Sequence, residues 1–180
     1  MSRNVLHRRW IAGVAVMLAG CLACAIGGCG GDDGASPGTE TPAAEPAGVT
    51  GEQRWLGRVM FAEALDQSAA ARRAVGSVVL NRVDSADYPD TVYGVVHQKN
   101  GFASVTGDSP LWQKSDDWAA MNDAERRGWV ECLHEAKAVI DGDRLAGVIA
   151  FKNAGLKDDA YFRTLRRVKT IGKLAFYAKG

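Results

Sequence analysis

The sequence predicts an α+β domain that is mostly helical, with a small antiparallel sheet near its C-terminus. Three observations lead to this class. Apolar residues recur at helical spacing through residues 52–83, a capping sequence opens another amphipathic stretch at Asn122, and the segments 148–151 and 169–177 have β character. Helices that come early and strands that come late are typical of α+β proteins.

The helical part opens with two amphipathic segments. We predict the first helix over residues 52–65 and the second over residues 68–83, where Ser68 is a suitable N-cap. A short helix over residues 91–97 follows, with Thr91 as its cap.

The second half of the domain changes character along the chain. Residues 102–105 are predicted as a short strand or extended loop, and residues 106–120 as a surface loop that carries two packing or cleft tryptophans. Asn122 with Glu three positions later resembles a capping box, which opens a helix to about residue 140. The segments 148–151 and 169–177 could then pair as a long hairpin.

Glu63 stands out because its position on the first helix should be apolar. Apolar residues lie three, four and seven positions before it, so all of them share one face of the helix with Glu63. Burying an ionised carboxylate is costly, and a carboxyl that keeps its proton near neutral pH can act as a general acid. The alternative is a Glu at the edge of the stripe, exposed or paired with Arg58 or Arg82.

Residues 1–29 predict a lipoprotein-type export signal. Three Arg and one His precede an apolar run over residues 10–19, which is too short for a settled transmembrane helix. The run ends in Leu-Ala-Gly-Cys21, which resembles a lipobox, and Cys29 is a second candidate for lipidation. A plain cleaved signal peptide, or an uncleaved anchor, remains the alternative.

Residues 30–50 consist mainly of small, polar and Pro residues and predict a flexible linker. The remaining residues 51–180 have the size of one domain, which we expect to be monomeric. The net charge of +1 argues against a nucleic-acid partner. The export signal and the linker together predict an exported protein, tethered to a bacterial membrane through a lipid on its N-terminal Cys and facing the cell wall or periplasm.

The folded part contains one cysteine and no pattern of metal ligands. Cys132 shares a helical stripe with apolar residues, and His134 lies two positions on, where it points elsewhere. We therefore interpret Cys132 as a core residue rather than a nucleophile, and we expect no metal and no cofactor.

Several segments resemble the cell wall hydrolases of the spore-cortex-lytic type (SleB/CwlJ). The resemblance is carried over about fifty residues by Val59–Ala64, Val75–Val83, Pro89–Gln98 and Gly101-Phe102, and more weakly by residues 150–153 and 171–177. It implies a lysozyme-like catalytic core that acts on the glycan strands of peptidoglycan. It also implies that Glu63, within Ala-Glu-Ala, is the catalytic acid.

Two positions depart from the family's pattern. The family usually carries His where this chain has Ala150 and Leu174, and neither side chain can exchange a proton. If those His residues orient substrate or water, this chain is slower or differently specific. A non-catalytic lipoprotein that binds glycan or a partner enzyme is the reading that these departures favour.

A glycosidase of ordinary design needs two carboxylates, and only one is well placed here. Asp66 lies three residues from Glu63, but a polar helix end explains it better. A single acid suffices in lytic transglycosylases, where the substrate's own hydroxyl attacks the anomeric carbon. The resemblance therefore implies a lytic transglycosylase, with a lysozyme-type hydrolase that uses water as the alternative.

Four further residues are candidates for binding sugar. Gln98 and Asn153 would form hydrogen bonds, while Phe102 and Phe151 would be apolar walls or, equally, core residues. Asn81 is expected to satisfy backbone groups near a helix end rather than to contact sugar.

Overall fold

The computed structural model describes residues 44–107 and 109–180 of the chain. The predicted export signal, with Cys21 and Cys29, lies outside the described residues. Within the described ranges, every helix is too short or too polar to cross a bilayer.

Six α-helices form most of the domain, as predicted. They are α1 (Gly51–Ala64), α2 (Ala69–Val83), α3 (Val92–His97), α4 (Ala103–Thr106), α5 (Pro110–Lys114) and α6 (Asp123–Ile140). The expected caps are present: Ser68 accepts from the Ala71 amide and Thr91 from the Gly94 amide, and the capping box at Asn122 is complete.

The core lies around α1, which packs against α2, α3, α4, α5 and α6. Val59, Met60 and Phe61 are fully buried, and the Phe61 ring meets Trp129 of α6 edge-on at 5.6 Å between centroids. Gly57 lets α6 approach closely, because a Cβ there would lie 2.9 Å from Leu133. Only part of α1 therefore faces solvent.

Three strands form an antiparallel sheet in the order β1-β3-β2, with β1 at Val148–Asn153, β2 at Leu165–Ile171 and β3 at Leu174–Lys179. The α+β class is thus confirmed, but the predicted pairing was wrong in detail. Residues 169–177 are not one strand, because Gly172 adopts φ +57° in a turn that folds β3 back on β2. β1 pairs with β3 across the sheet rather than through a hairpin.

Asn81 docks this sheet on the helices. Its Nδ2 donates to the carbonyls of Leu145 and Val148, both at 2.9 Å, which joins the end of α2 to the start of β1. The side chain satisfies backbone groups near a helix end, as its sequence position indicated.

The segment between α3 and α6 differs from the prediction. Residues 103–106 form α4 instead of a strand, and residues 106–120 contain α5 and a 3₁₀ turn at Trp118–Ala120 instead of loop alone. The α4 turn closes through the Thr106 hydroxyl, which donates to the Phe102 carbonyl at 3.1 Å. A single turn of this kind is decided by tertiary packing, which local propensity does not report.

The end of the predicted linker contacts the domain. Glu45 is paired with Arg54 at 2.8 Å and accepts a hydrogen bond from the Trp129 indole at 3.1 Å, while Val49 packs against the core. The last residues of the predicted linker, 44–50, therefore make contacts with the domain.

Candidate active site

Glu63 lies in the last turn of α1, half-buried, with its carboxylate directed at α4. Its Oε1 accepts two hydrogen bonds from Ser104, one from the hydroxyl at 2.6 Å and one from the backbone amide at 3.1 Å. Both hydrogen bonds go to the same oxygen. No hydrogen bond within the described part of the chain engages Oε2.

Neither arginine that the sequence offered as a partner reaches Glu63. Arg58 is buried and pairs with Asp116 at 2.6 Å and with the Ser115 hydroxyl at 2.9 Å. Arg82 donates from Nε to the Ile149 carbonyl at 2.8 Å. The alternative of an ion pair between Glu63 and Arg58 or Arg82 is therefore not observed, and both donors to the bonded carboxylate oxygen are neutral.

Arg82 positions the turn that carries Ser104. Its Nη1 donates to the Gly101 carbonyl at 3.3 Å, and its guanidinium lies 5.0 Å from the centroid of the Phe102 ring. Burial lowers the pKa of Arg82 from its usual value, because the charged form loses solvation. Gly101 itself is required at this turn, since a Cβ there would lie 2.9 Å from the Gln98 carbonyl oxygen.

Asp66 lies one turn beyond Glu63 and faces solvent. Its carboxylate pairs with Lys173 at 2.8 Å and accepts from Gln67, and these hydrogen bonds hold the pKa of Asp66 below its usual value. The ion pair joins the end of α1 to the turn between β2 and β3. This contact gives Asp66 a structural role as a polar residue just after the end of α1.

The two phenylalanine candidates lie on different elements, Phe102 at the start of α4 and Phe151 within β1. Phe102, the N-cap residue of α4, is only 3% exposed and belongs to the main core, so its ring forms no open wall. Phe151 is half-buried, with its ring centroid 6.3 Å from that of Phe102 and 5.9 Å from that of Phe176. Of the two, Phe151 is the more accessible.

The two polar candidates lie at the ends of different elements, Gln98 after α3 and Asn153 at the end of β1. Gln98 ends α3 and is half-buried; its carbonyl accepts from the Gly101 amide at 2.9 Å. Asn153 ends β1, pairs in register with Leu174 and accepts from the Gly155 amide at 2.9 Å. It therefore lies beside the turn that contacts Asp66, near the end of α1 that bears Glu63.

Ala150 and Leu174, where the resembled family usually has His, are both buried. Ala150 is 2% exposed and packs in a small cluster with Tyr177, and Leu174 is 8% exposed and belongs to the main core. Both positions lie in the sheet and contribute apolar packing.

Cys132 is fully buried in α6, and burial raises its pKa to about 12 because the thiolate would lose its solvation. The thiol therefore stays protonated and packs as a small apolar side chain. The residues that the structure describes contain no cluster of His, Cys, Asp and Glu suited to a metal ion.

Ser104 is the residue that sequence reasoning missed. It lies 41 positions from Glu63 and was interpreted as part of a short strand or loop. No local pattern marks a lone Ser as the partner of a distant Glu. Only the packing of α4 against α1 brings the two side chains together.

Comparison with known proteins places this geometry in a family. The profile of the cell wall hydrolases matches residues 66–177. The chain belongs to the cell wall hydrolase family. The match begins three residues after Glu63, so the family assignment rests on the rest of the domain.

Two relatives of the family are spore cortex-lytic enzymes. The chain is 28% identical over 153 residues to the one from Oceanobacillus iheyensis, covering 83% of this chain and 50% of the relative. It is 25% identical over 132 residues to the one from Halalkalibacterium halodurans, covering 73% of this chain and 36% of the relative. The chain thus spans half or less of the length of these relatives.

Two solved structures share the fold. The catalytic domain of the Bacillus cereus SleB protein superposes with a TM-score of 0.50 at 22% identity, covering 73% of this chain and 94% of that domain. The catalytic domain of the germination-specific lytic transglycosylase SleB from Bacillus anthracis gives a TM-score of 0.52 at 22% identity, covering 74% and 99%. The expected resemblance to the SleB type is confirmed.

Proposed function

We propose that this protein cleaves the glycan strands of peptidoglycan, with Glu63 as the acid. Family membership supports an action on the cell wall. The observation that carries the proposal is the geometry of Glu63, a half-buried carboxyl whose one oxygen is fixed by both donors of Ser104. A carboxyl held in this way is positioned for directed proton transfer.

The two Ser104 donors give the two carboxyl oxygens of Glu63 different roles. Because a hydrogen-bond acceptor needs a free lone pair and Oε1 already accepts twice, the proton of the acid form belongs on Oε2. Oε2 is then the oxygen that protonates the glycosidic oxygen. Ser104 acts as a positioning residue that keeps this orientation.

We further propose that the reaction is a transglycosylation within the substrate. Glu63 protonates the leaving oxygen as its bond to the anomeric carbon breaks. The muramoyl C6 hydroxyl then attacks that carbon and gives its proton to the same carboxylate, which restores the acid and consumes no water. Support comes from the ion pair that holds Asp66 at the surface, so that Asp66 does not complete the usual pair of carboxylates with Glu63. Further support comes from the Bacillus anthracis neighbour, which is named a lytic transglycosylase.

Glu63→Gln should leave the fold intact and lower the release of muropeptides from purified sacculi at least about a hundredfold, because Gln keeps the shape but cannot deliver a proton. The matched control is Asp66→Asn, one helical turn away, which should release muropeptides at the normal rate. Substantial release by the Gln variant, with wild-type thermal unfolding, would remove Glu63 as the acid.

Ser104→Ala should lower kcat about tenfold and leave KM unchanged, because the carboxyl loses its 2.6 Å bond but keeps the amide donor. Ser104→Thr retains the hydroxyl and should recover most of the rate. An Ala variant as fast as the wild-type protein would show that the hydroxyl does not position Glu63.

The product distinguishes transglycosylation from hydrolysis. We expect digests of sacculi to contain 1,6-anhydromuramoyl ends, lighter by one water than hydrolysed ends, as measured by mass spectrometry of the released muropeptides. Reducing muramic acid ends with no anhydro species would establish water as the acceptor. The acid role of Glu63 would then stand, and the function would be that of a lysozyme-type hydrolase.

We also propose that the protein is exported and anchored to a bacterial membrane by a lipid on Cys21, which the lipobox-like Leu-Ala-Gly-Cys supports. Cys21→Ser should release the protein from the membrane fraction or block its maturation, as measured by fractionation and immunoblotting. If only Cys29→Ser has this effect, Cys29 is the lipidated residue. No effect of either change would contradict lipid anchoring.

A further inference from the structure

Four ring side chains meet on the surface where α1, α3 and α5 converge; we call them the aromatic patch. They are Trp55, Tyr93, His97 and Trp112. Tyr93 stacks on His97 at 4.1 Å, Trp55 meets both edge-on at 5.2 and 4.9 Å, and Trp55 and Trp112 stack at 6.3 Å. Tyr93 is 55% exposed, more than any other large apolar side chain in the described part of the chain.

Contacts with Arg58 hold the rings of the patch in place. The buried guanidinium of Arg58 contacts both indoles, 4.7 Å from the Trp55 centroid and 4.0 Å from that of Trp112. Arg58 is fixed in turn by Asp116 and Ser115, and the His97 Nδ1 lies 2.9 Å from the Tyr93 carbonyl oxygen. Rings fixed before a ligand arrives lose little entropy on binding.

The chemistry of the patch suits neutral sugar rings. A pyranose has an apolar C–H face and a rim of hydroxyls, which complement a flat aromatic ring with a polar edge. The charge of Arg58 is already balanced by Asp116, so the patch offers no free cation for an anionic polymer. Four side chains are also few for a stable protein interface, which takes roughly 20–30 residues on each side.

The position of the patch fits a long substrate. Trp55 and Glu63 are eight residues apart on α1, which is about 12 Å along the helix axis. At about 100° per residue, Glu63 lies about 80° around the helix axis from Trp55, so the two side chains point from adjacent sides of α1. A strand bound at Glu63 that continues along α1 would reach the patch with sugars beyond the bond that is cut.

We propose that the aromatic patch is a remote subsite for the glycan strand, which binds sugar units outside the catalytic region and favours polymeric substrate over short fragments. The inference rests on the proposed action on peptidoglycan. It concerns affinity for the strand and assigns no chemical step to the patch.

The test compares two substrates in the full-length protein. Tyr93→Ala should lower the ratio of kcat/KM on sacculi to kcat/KM on a soluble tetrasaccharide fragment about tenfold, because only the polymer reaches the patch. Tyr93→Phe keeps the ring and should keep the ratio. Leu156→Ala, at a side chain 54% exposed outside the patch, is the matched surface control and should leave the ratio unchanged.

Binding is measured separately from activity. In the Glu63→Gln background, Tyr93→Ala should raise the Kd for pelleted sacculi about tenfold, with unchanged thermal unfolding. A normal ratio and a normal Kd would overturn the subsite, as would an equal loss on both substrates. Failure of the wild-type protein to release any fragment from sacculi would instead contradict the proposed function, and the pelleting result would still decide whether the patch binds glycan.

Discussion

The burial of α1 is the constraint on which the rest of the structure depends. Every other α-helix of the domain packs against it, so its few accessible positions are fixed by what the neighbours leave uncovered. Near the end of the helix, α4 approaches closely enough for Ser104 to meet Glu63, and near its start α3 and α5 supply the rings that surround Trp55. One helix thus sets the distance between the Glu63 carboxyl and the aromatic patch.

A half-buried carboxylate such as that of Glu63 needs hydrogen-bond donors or a counter-charge to offset its loss of solvation. The domain uses a hydroxyl and an amide of one residue rather than a cation, and the nearest arginines are occupied elsewhere, Arg58 by Asp116 and Arg82 by backbone carbonyls. A salt bridge would favour the ionised carboxylate and hold its proton away. Neutral donors fix the orientation of the carboxyl without adding a cation beside it, which suits the proposed role of Glu63 in giving and retaking a proton.

The sequence predicted those features that local patterns encode. The helical stripe of α1, the caps at Ser68, Thr91 and Asn122, and the β character of the C-terminal segments are each readable within a few residues, and together they predict the fold class. The single turn of α4 and the reversal at Gly172 depend on contacts made elsewhere in the chain, and both were misread. The partner of Glu63 could not be inferred for the same reason, because 41 residues separate it from Ser104.

The departures at Ala150 and Leu174 bear on how the proposed chemistry is arranged. Both side chains are buried in apolar packing within the sheet, so neither position supplies a proton carrier beside Glu63. A hydrolase that activates water needs a base, whereas a substrate that supplies its own hydroxyl can return its proton to the acid that began the reaction. Apolar residues at these two positions are therefore more compatible with transglycosylation, which needs no additional base, than with hydrolysis. The rigid rings of the aromatic patch, which meet around Trp55 of α1, are suited to add affinity for the strand in the proposed reaction.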